Sequence, residues 1–359
     1  MPRILLVLLT ILASYTSSLT FAKEQFQHPN TPKKLVLLNW DDYMDPELLQ
    51  QFEQLHNIQI QQIYFESDDT RNSILAASDG QGYDLAIVNE AMIESYNDRG
   101  WLASLPQPRP DNFQHIDPKW VEAYPNTTNK AVALFWGTLG IAYRSDLVSQ
   151  PFTQWSHFFT PDKSLTKRLG LMNSSREVMG MALKSLGYSI NSTNISQLTK
   201  AAALLKQQHP FVKSYRYLSL DESSDLLSGE IFASMMYGGD ALMLQEFNDN
   251  IQYVIPEEGT NIWIDYLVVF SASQKQDMAW QFINFLHEPK RAASLSQYLY
   301  TATTNKTAKK HLPEHFLNNR TIYPPKEILK KSEYFNNISP RALNKINTLF
   351  LPVFLSHTE

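Results

Sequence analysis

The chain has 359 residues, no cysteine and a net charge of −5. Without thiols there are no structural disulfides and no lipid-attached cysteine, so a chain of this size must be held by its core. The mild acidity argues against nucleic acid as a partner and for a cationic one.

Met1–Ala22 reads as a secretory signal peptide. Arg3 is the positive n-region, and Ile4–Leu12 is an apolar run too short to span a bilayer. Thr20-Phe21-Ala22 supplies small residues before a cut after Ala22, which directs the protein to the periplasm. Only Arg3 is charged in that leader, so its removal takes the net charge from −5 to −6.

The remainder is long enough for two domains. Lys34–Leu38 is apolar enough for a buried strand, and Pro46 opens a helix to His56 with Leu48, Leu49, Phe52 and Leu55 on one face. Strand Ile58–Phe65, helix Asp69–Ala77, strand Asp84–Val88 and helix Ala91–Asp98 follow, a βαβαβ pattern that predicts a parallel sheet. Pro106, Pro108 and Pro110 mark an irregular loop. Beyond it a second α/β unit is expected. Leu134–Thr138 leads into Leu139–Tyr143, then helices 177–186 and 196–208, strand 230–237, helix 240–247 and strand 251–255. Helices 277–287 and 290–299 carry strong 3.6-residue periodicity, and a short helix near 342–350 ends the chain.

Two stretches carry candidate chemistry. At the end of the first strand, Trp40, Asp41, Asp42 and Tyr43 sit where a strand hands over to a helix, the end at which open α/β sheets bind ligands. Aromatic faces with acids suit an organic cation. The same residues also read as a core-packed Trp with solvated or capping acids. In Ile262-Trp263-Ile264-Asp265-Tyr266 a strand would turn Trp263 and Asp265 to one side. A core Trp with a surface Asp is the alternative there. His311 and His315 are separated by Pro313 and have no third ligand nearby, so no metal and no cofactor is expected. No phosphate loop, nucleophile elbow or cysteine nucleophile occurs, and the chain is not expected to be an enzyme.

Taken in order, the motifs resemble those of the periplasmic spermidine/putrescine-binding proteins. They are Asn39-Trp40-Asp41-Asp42-Tyr43, Gly82-Tyr83-Asp84-Leu85, Trp136-Gly137, Arg176-Glu177-Val178, Gly229-Glu230, Pro256-Glu257-Glu258-Gly259, Phe282–Leu286 and Tyr323-Pro324-Pro325. The resemblance implies a monomeric, two-lobed α/β binding protein of type II, with a hinge and a ligand cleft between the lobes. It implies a first lobe of residues 32–138 and 264–309 and a second of 139–263 and 310–359. It further implies that Trp40, Tyr43, Tyr237 and Trp263 wall the methylene chain of a polyamine. Asp42, Glu177 and above all Asp265 would then pair its amines, with Asp41 beside them. Departures from the family pattern fall at Asn89, Glu90, Ser174, Thr301 and Phe335, where Glu90 could replace an acid missing at Ser174. These changes touch both ends of the pocket and lean toward an unusual polyamine such as norspermidine. Two roles follow from the resemblance. The loaded protein delivers spermidine, norspermidine or putrescine to an inner-membrane ABC permease. Alternatively, it reports the ligand to a membrane signalling protein, such as a cyclic-di-GMP enzyme controlling biofilm.

Overall fold

A computed structural model describes residues 33–123 and 129–355. The expected leader, Met1–Ala22, lies outside the described residues. The first strand runs further than its apolar run: β1 is Lys33–Trp40 and takes in Asn39 and Trp40. Helix α1, Pro46–His56, starts at Asp45, whose carboxylate accepts from Glu47 N, and buries Leu48 and Phe52. Then come β2 (Ile58–Phe65), α2 (Asp68–Ser78, capped by Ser67), β3 (Leu85–Asn89) and α3 (Glu90–Asp98). β1 pairs in parallel with both β2 and β3, as the βαβαβ pattern predicts.

After the short α4 (Pro118–Glu122), the apolar stretch from Ala131 forms one 14-residue strand, β4 (Ala131–Arg144). The elements that follow are α5 (Trp155–Phe159), β5 (Leu169–Leu171), α6 (Ser175–Ser185), α7 (Ile195–Gln208), β6 (Val212–Tyr215) and α8 (Asp225–Ser228). The strand expected from Glu230 begins later, as β7 (Ala233–Tyr237), because α8 ends only at Gly229 in the left-handed region. α9 (Gly238–Gln245), β8 (Ile251–Val254), β9 (Ile262–Val269), α10 (Gln276–Leu286), α11 (Pro289–Tyr298) and β10 (Ala302–Thr303) follow. Three helices close the chain: α12 (Glu314–Leu317), α13 (Lys326–Leu329) and α14 (Pro340–Leu355).

The strands divide into two lobes that share β4. Its first part, to Thr138, pairs antiparallel with β9, which pairs with β3 on its other edge. Its second part, from Leu139, pairs with β7 and β8, and β7 continues in parallel to β5 and β6. Each lobe has its own core. The first is built on Leu35, Leu37, Val88, Phe135, Tyr266, Phe282 and Ile283, the second on Leu139, Trp155, Phe158, Phe159, Met181 and Leu205.

The chain crosses between lobes three times, and the crossings are hydrogen-bonded side by side. Leu139 N donates to Asn261 O at 3.2 Å, Ile262 N to Glu333 O at 2.9 Å, and Glu333 N to Thr260 O at 2.9 Å. The last crossing lies later than the expected boundary at residue 310. Leu312, Phe316 and Ile322 pack into the first core, and the tail joins the second only at Phe335, where its apolar side chains find α6. Among the described residues no helix is long and apolar enough to cross a membrane, and no group of three metal-binding side chains occurs.

Candidate functional site

The carboxyl ends of β1, β2 and β3 meet the amino end of β9, because β9 runs antiparallel and sets Asp265 opposite Asn89. At this edge, and at its counterpart in the second lobe, helices begin with an acid in the first turn. These are Asp68 in α2, Glu90 in α3, Glu177 in α6 and Asp240 in α9. A helix amino terminus carries partial positive charge and tolerates an acid there. Where such an acid is ionised and unpaired, it turns an edge that would suit an anion into one that suits a cation.

In the first lobe Asp265 is 9% exposed and accepts a 2.7 Å hydrogen bond from the Tyr43 hydroxyl. Burial raises its pKa to about 7; the Tyr43 hydrogen bond pulls it down and the charge of Asp68 pushes it further up. Glu90 is 4% exposed and accepts from Ile264 N at 3.1 Å. Burial raises it to about 8, so it holds its proton at neutral pH. Asn89 donates to Asp68, which forms a 2.7 Å ion pair with Arg71. Burial likewise pushes the Tyr43 hydroxyl well above its ordinary range, with Asp265 next in effect and Asp240 of the second lobe contributing.

In the second lobe Tyr237 donates to Glu177 and Tyr217 donates to Asp240. The two pairs are joined, since Tyr237 N donates to the Tyr217 oxygen at 3.2 Å and the rings lie 5.8 Å apart. Burial raises Asp240 to about 6. Burial also raises Glu177, against hydrogen bonds from Ser174 and Tyr237 that favour its ionised form. The Trp263 ring stands edge-on to Tyr237 at 5.8 Å, on the same strand face as Asp265. Gly137 on β4 is paired with Trp263 on β9, and a Cβ there would collide with the indole. The charge of Asp68 reaches Glu177 and Tyr237, so the acids of the two lobes face each other.

Of the residues expected from the sequence, Tyr43, Asn89, Glu90, Asp265, Ser174, Glu177, Tyr237 and Trp263 are brought into this network. Trp40 is half-buried and packs on Phe65 at 4.4 Å. Asp41 and Asp42 are exposed on the turn after β1, where their charges bear on the exposed Tyr64. Thr301 is buried beside Gly239, near the meeting of the lobes. Phe335 lies under Gly180 with the Arg176 guanidinium 4.7 Å from its ring, in the second core.

Asp68, Arg71, Tyr217 and Asp240 join this network without having been expected there. The rule that singled out Trp40–Tyr43, the end of a strand running into a helix, also applies to Asp68 after β2 and to Asp240 after β7. Nothing comparable marks Arg71. Chemically, the site offers carboxylates at intervals and flat aromatic faces between them. It suits a flexible ligand with several ammonium groups.

Comparison with known proteins agrees with this architecture. The Escherichia coli K12 spermidine/putrescine-binding periplasmic protein is 27% identical over 313 residues, 87% of this chain and 89% of that protein. The norspermidine sensor of Vibrio cholerae serotype O1 is 26% identical over 310 residues, 85% of this chain and 84% of that protein. A crystal structure of the spermidine/putrescine ABC transporter substrate-binding protein PotD from Streptococcus pneumoniae, in complex with calcium and HEPES, superimposes with a TM-score of 0.79. It is 30% identical and covers 90% of this chain and 99% of its own. The sequence profile of the bacterial extracellular solute-binding proteins matches residues 47–318. With two lobes, a hinge and a profile match over most of its length, the chain belongs to the bacterial extracellular solute-binding protein family.

Proposed function

We propose that this protein is a periplasmic receptor for a polyamine, which it carries to an inner-membrane ABC permease. The observation that carries the reading is the facing set of acids. Asp265 sits in the first lobe and Glu177 and Asp240 in the second, with Tyr43, Tyr237 and Trp263 between them. A polyamine is a thin apolar chain with ammonium groups at fixed spacing, and it can join acids on both sides of a hinge. Closure then follows from the ligand's higher affinity for the closed state. A micromolar complex needs about 8 kcal/mol, which two or three charged pairs and aromatic contacts can supply.

The test is a thermal-shift screen and calorimetry with putrescine, spermidine and norspermidine on purified protein. A ligand binding only the folded state raises Tm. No response to any of the three would overturn the reading. The likeness to the Vibrio cholerae norspermidine sensor favours one second reading, in which the same receptor reports its ligand to a membrane signalling protein. A deletion strain that takes up labelled polyamine at the wild-type rate would decide for sensing. Cleavage of the leader after Ala22 is part of the proposal, and amino-terminal sequencing of the exported protein checks it.

A further inference from the structure

A ligand ammonium is recognised by an acid, an aromatic face and a hydroxyl. On the β2 side of the first lobe all of these already contact the protein's own Arg71, although the Asp68 side chain stays 42% exposed. The Arg71 guanidinium lies 2.7 Å from Asp68, its Cζ is 5.3 Å from the centre of the Phe65 ring, and its Nε donates to the Tyr96 hydroxyl at 3.2 Å. Tyr96 donates in turn to Asn72, and Phe65 carries the Trp40 ring on its other contact. Arg71 is fully buried. A guanidinium does not give up its proton, so this is a permanent positive charge beneath the cleft. Arg71 Nη2 has no hydrogen-bond partner among the described residues. An ammonium has only donors, so it cannot bond to that nitrogen and is repelled by its charge.

We propose that Arg71 is a specificity residue, a resident cation that fills one ammonium position of the cleft and leaves room for a diamine in preference to a triamine. The inference rests on the polyamine reading above. With Asp68 paired and Glu90 turned to the backbone of β9, two positions remain. One is Asp265 with Tyr43. The other is the tyrosine-linked pair Glu177 and Asp240. A ligand with two ammonium groups satisfies both, and a third group meets Arg71.

Calorimetry with putrescine and spermidine on the wild type, Arg71→Lys and Arg71→Met tests this. The wild type should bind putrescine at least about tenfold more tightly than spermidine, a difference of about 1.4 kcal/mol. Arg71→Lys should keep that order. Arg71→Met should shift the ratio toward spermidine by about tenfold or more. Wild-type protein that binds spermidine as tightly as putrescine overturns the inference with polyamine binding intact, and this arm needs no variant to fold. An unchanged ratio in folded Arg71→Met overturns it as well. If the wild type binds neither amine but binds norspermidine, the inference is overturned with the polyamine reading intact; if it binds none of the three, the polyamine reading has failed and takes this inference with it.

Discussion

The two lobes present acids to the cleft in different ways. In the first, negative charge is largely compensated before any ligand arrives: Asp68 is paired with Arg71, and Glu90 is a protonated acid tied to Ile264 N. In the second, Glu177 and Asp240 each receive one tyrosine hydroxyl. A phenol hydrogen bond favours the ionised form without cancelling its charge. The contrast teaches that counting acids does not count subsites. The first lobe reduces to one working carboxylate, Asp265, while the second keeps two in a linked pair.

The largest expected effect strikes that single carboxylate. Asp265→Ala removes one side of a buried charged contact and should cost about 2–5 kcal/mol, at least tenfold in Kd by calorimetry. A wild-type Kd for every polyamine in that variant would place Asp265 outside the site. Glu177→Gln should cost less, about 1–2 kcal/mol, because Asp240 remains beside it. If it costs more than Asp265→Ala, the asymmetry between lobes is reversed.

A smaller effect is a pH dependence whose sign follows from the raised carboxyl groups. Asp240, Asp265 and Glu90 are raised to about 6, 7 and 8, against about 4 in the unfolded chain. Between pH 4 and 8 these three groups therefore hold more protons in the folded ligand-free protein than in the unfolded one, and their contribution to stability falls as pH rises; buried His287, lowered to about 3, opposes them only below its unfolded value of about 6.5. A cationic ligand selects the ionised form, so its Tm increment should grow over the same range. Thermal melts at pH 5.5, 6.5 and 7.5 with and without putrescine check both trends; a ligand-free Tm that climbs over that range refutes them. The smallest effect belongs to Glu90→Gln. It replaces an acid that is already neutral at pH 7 and should change affinity by less than about twofold. A large loss of binding would show that Glu90 works as an anion, and the first lobe would gain a second carboxylate.

Much of this was legible in the sequence, for identifiable reasons. Alternating apolar strands and amphipathic helices exposed β1 to α3, and Trp263 and Asp265 on one strand face follow from period two alone. Tyr43 and Asp265 were readable as candidates, but the hydrogen bond between them joins positions 222 apart, and no local pattern encodes it. Asp41 and Asp42 are the reverse case. Their spacing matches a motif, yet the turn after Trp40, with Asp42 at φ 50°, turns them to solvent. Arg71 was invisible because an arginine in a helix ordinarily marks the exposed face. Its burial is decided by Asp68, Phe65 and Tyr96, and the last of these belongs to a different helix.

One feature of the topology bears on how the molecule comes into being. β9 is inserted between β3 and β4, with both of its edges occupied. As the exported chain emerges, everything before Ile262 is a pair of half-sheets with a missing middle rail. The opening lobe therefore cannot lock until β9 has been made, and in a product that stops at Gly259 the residues of that lobe, unlike those of the second, should be digested by protease as readily as an unfolded chain.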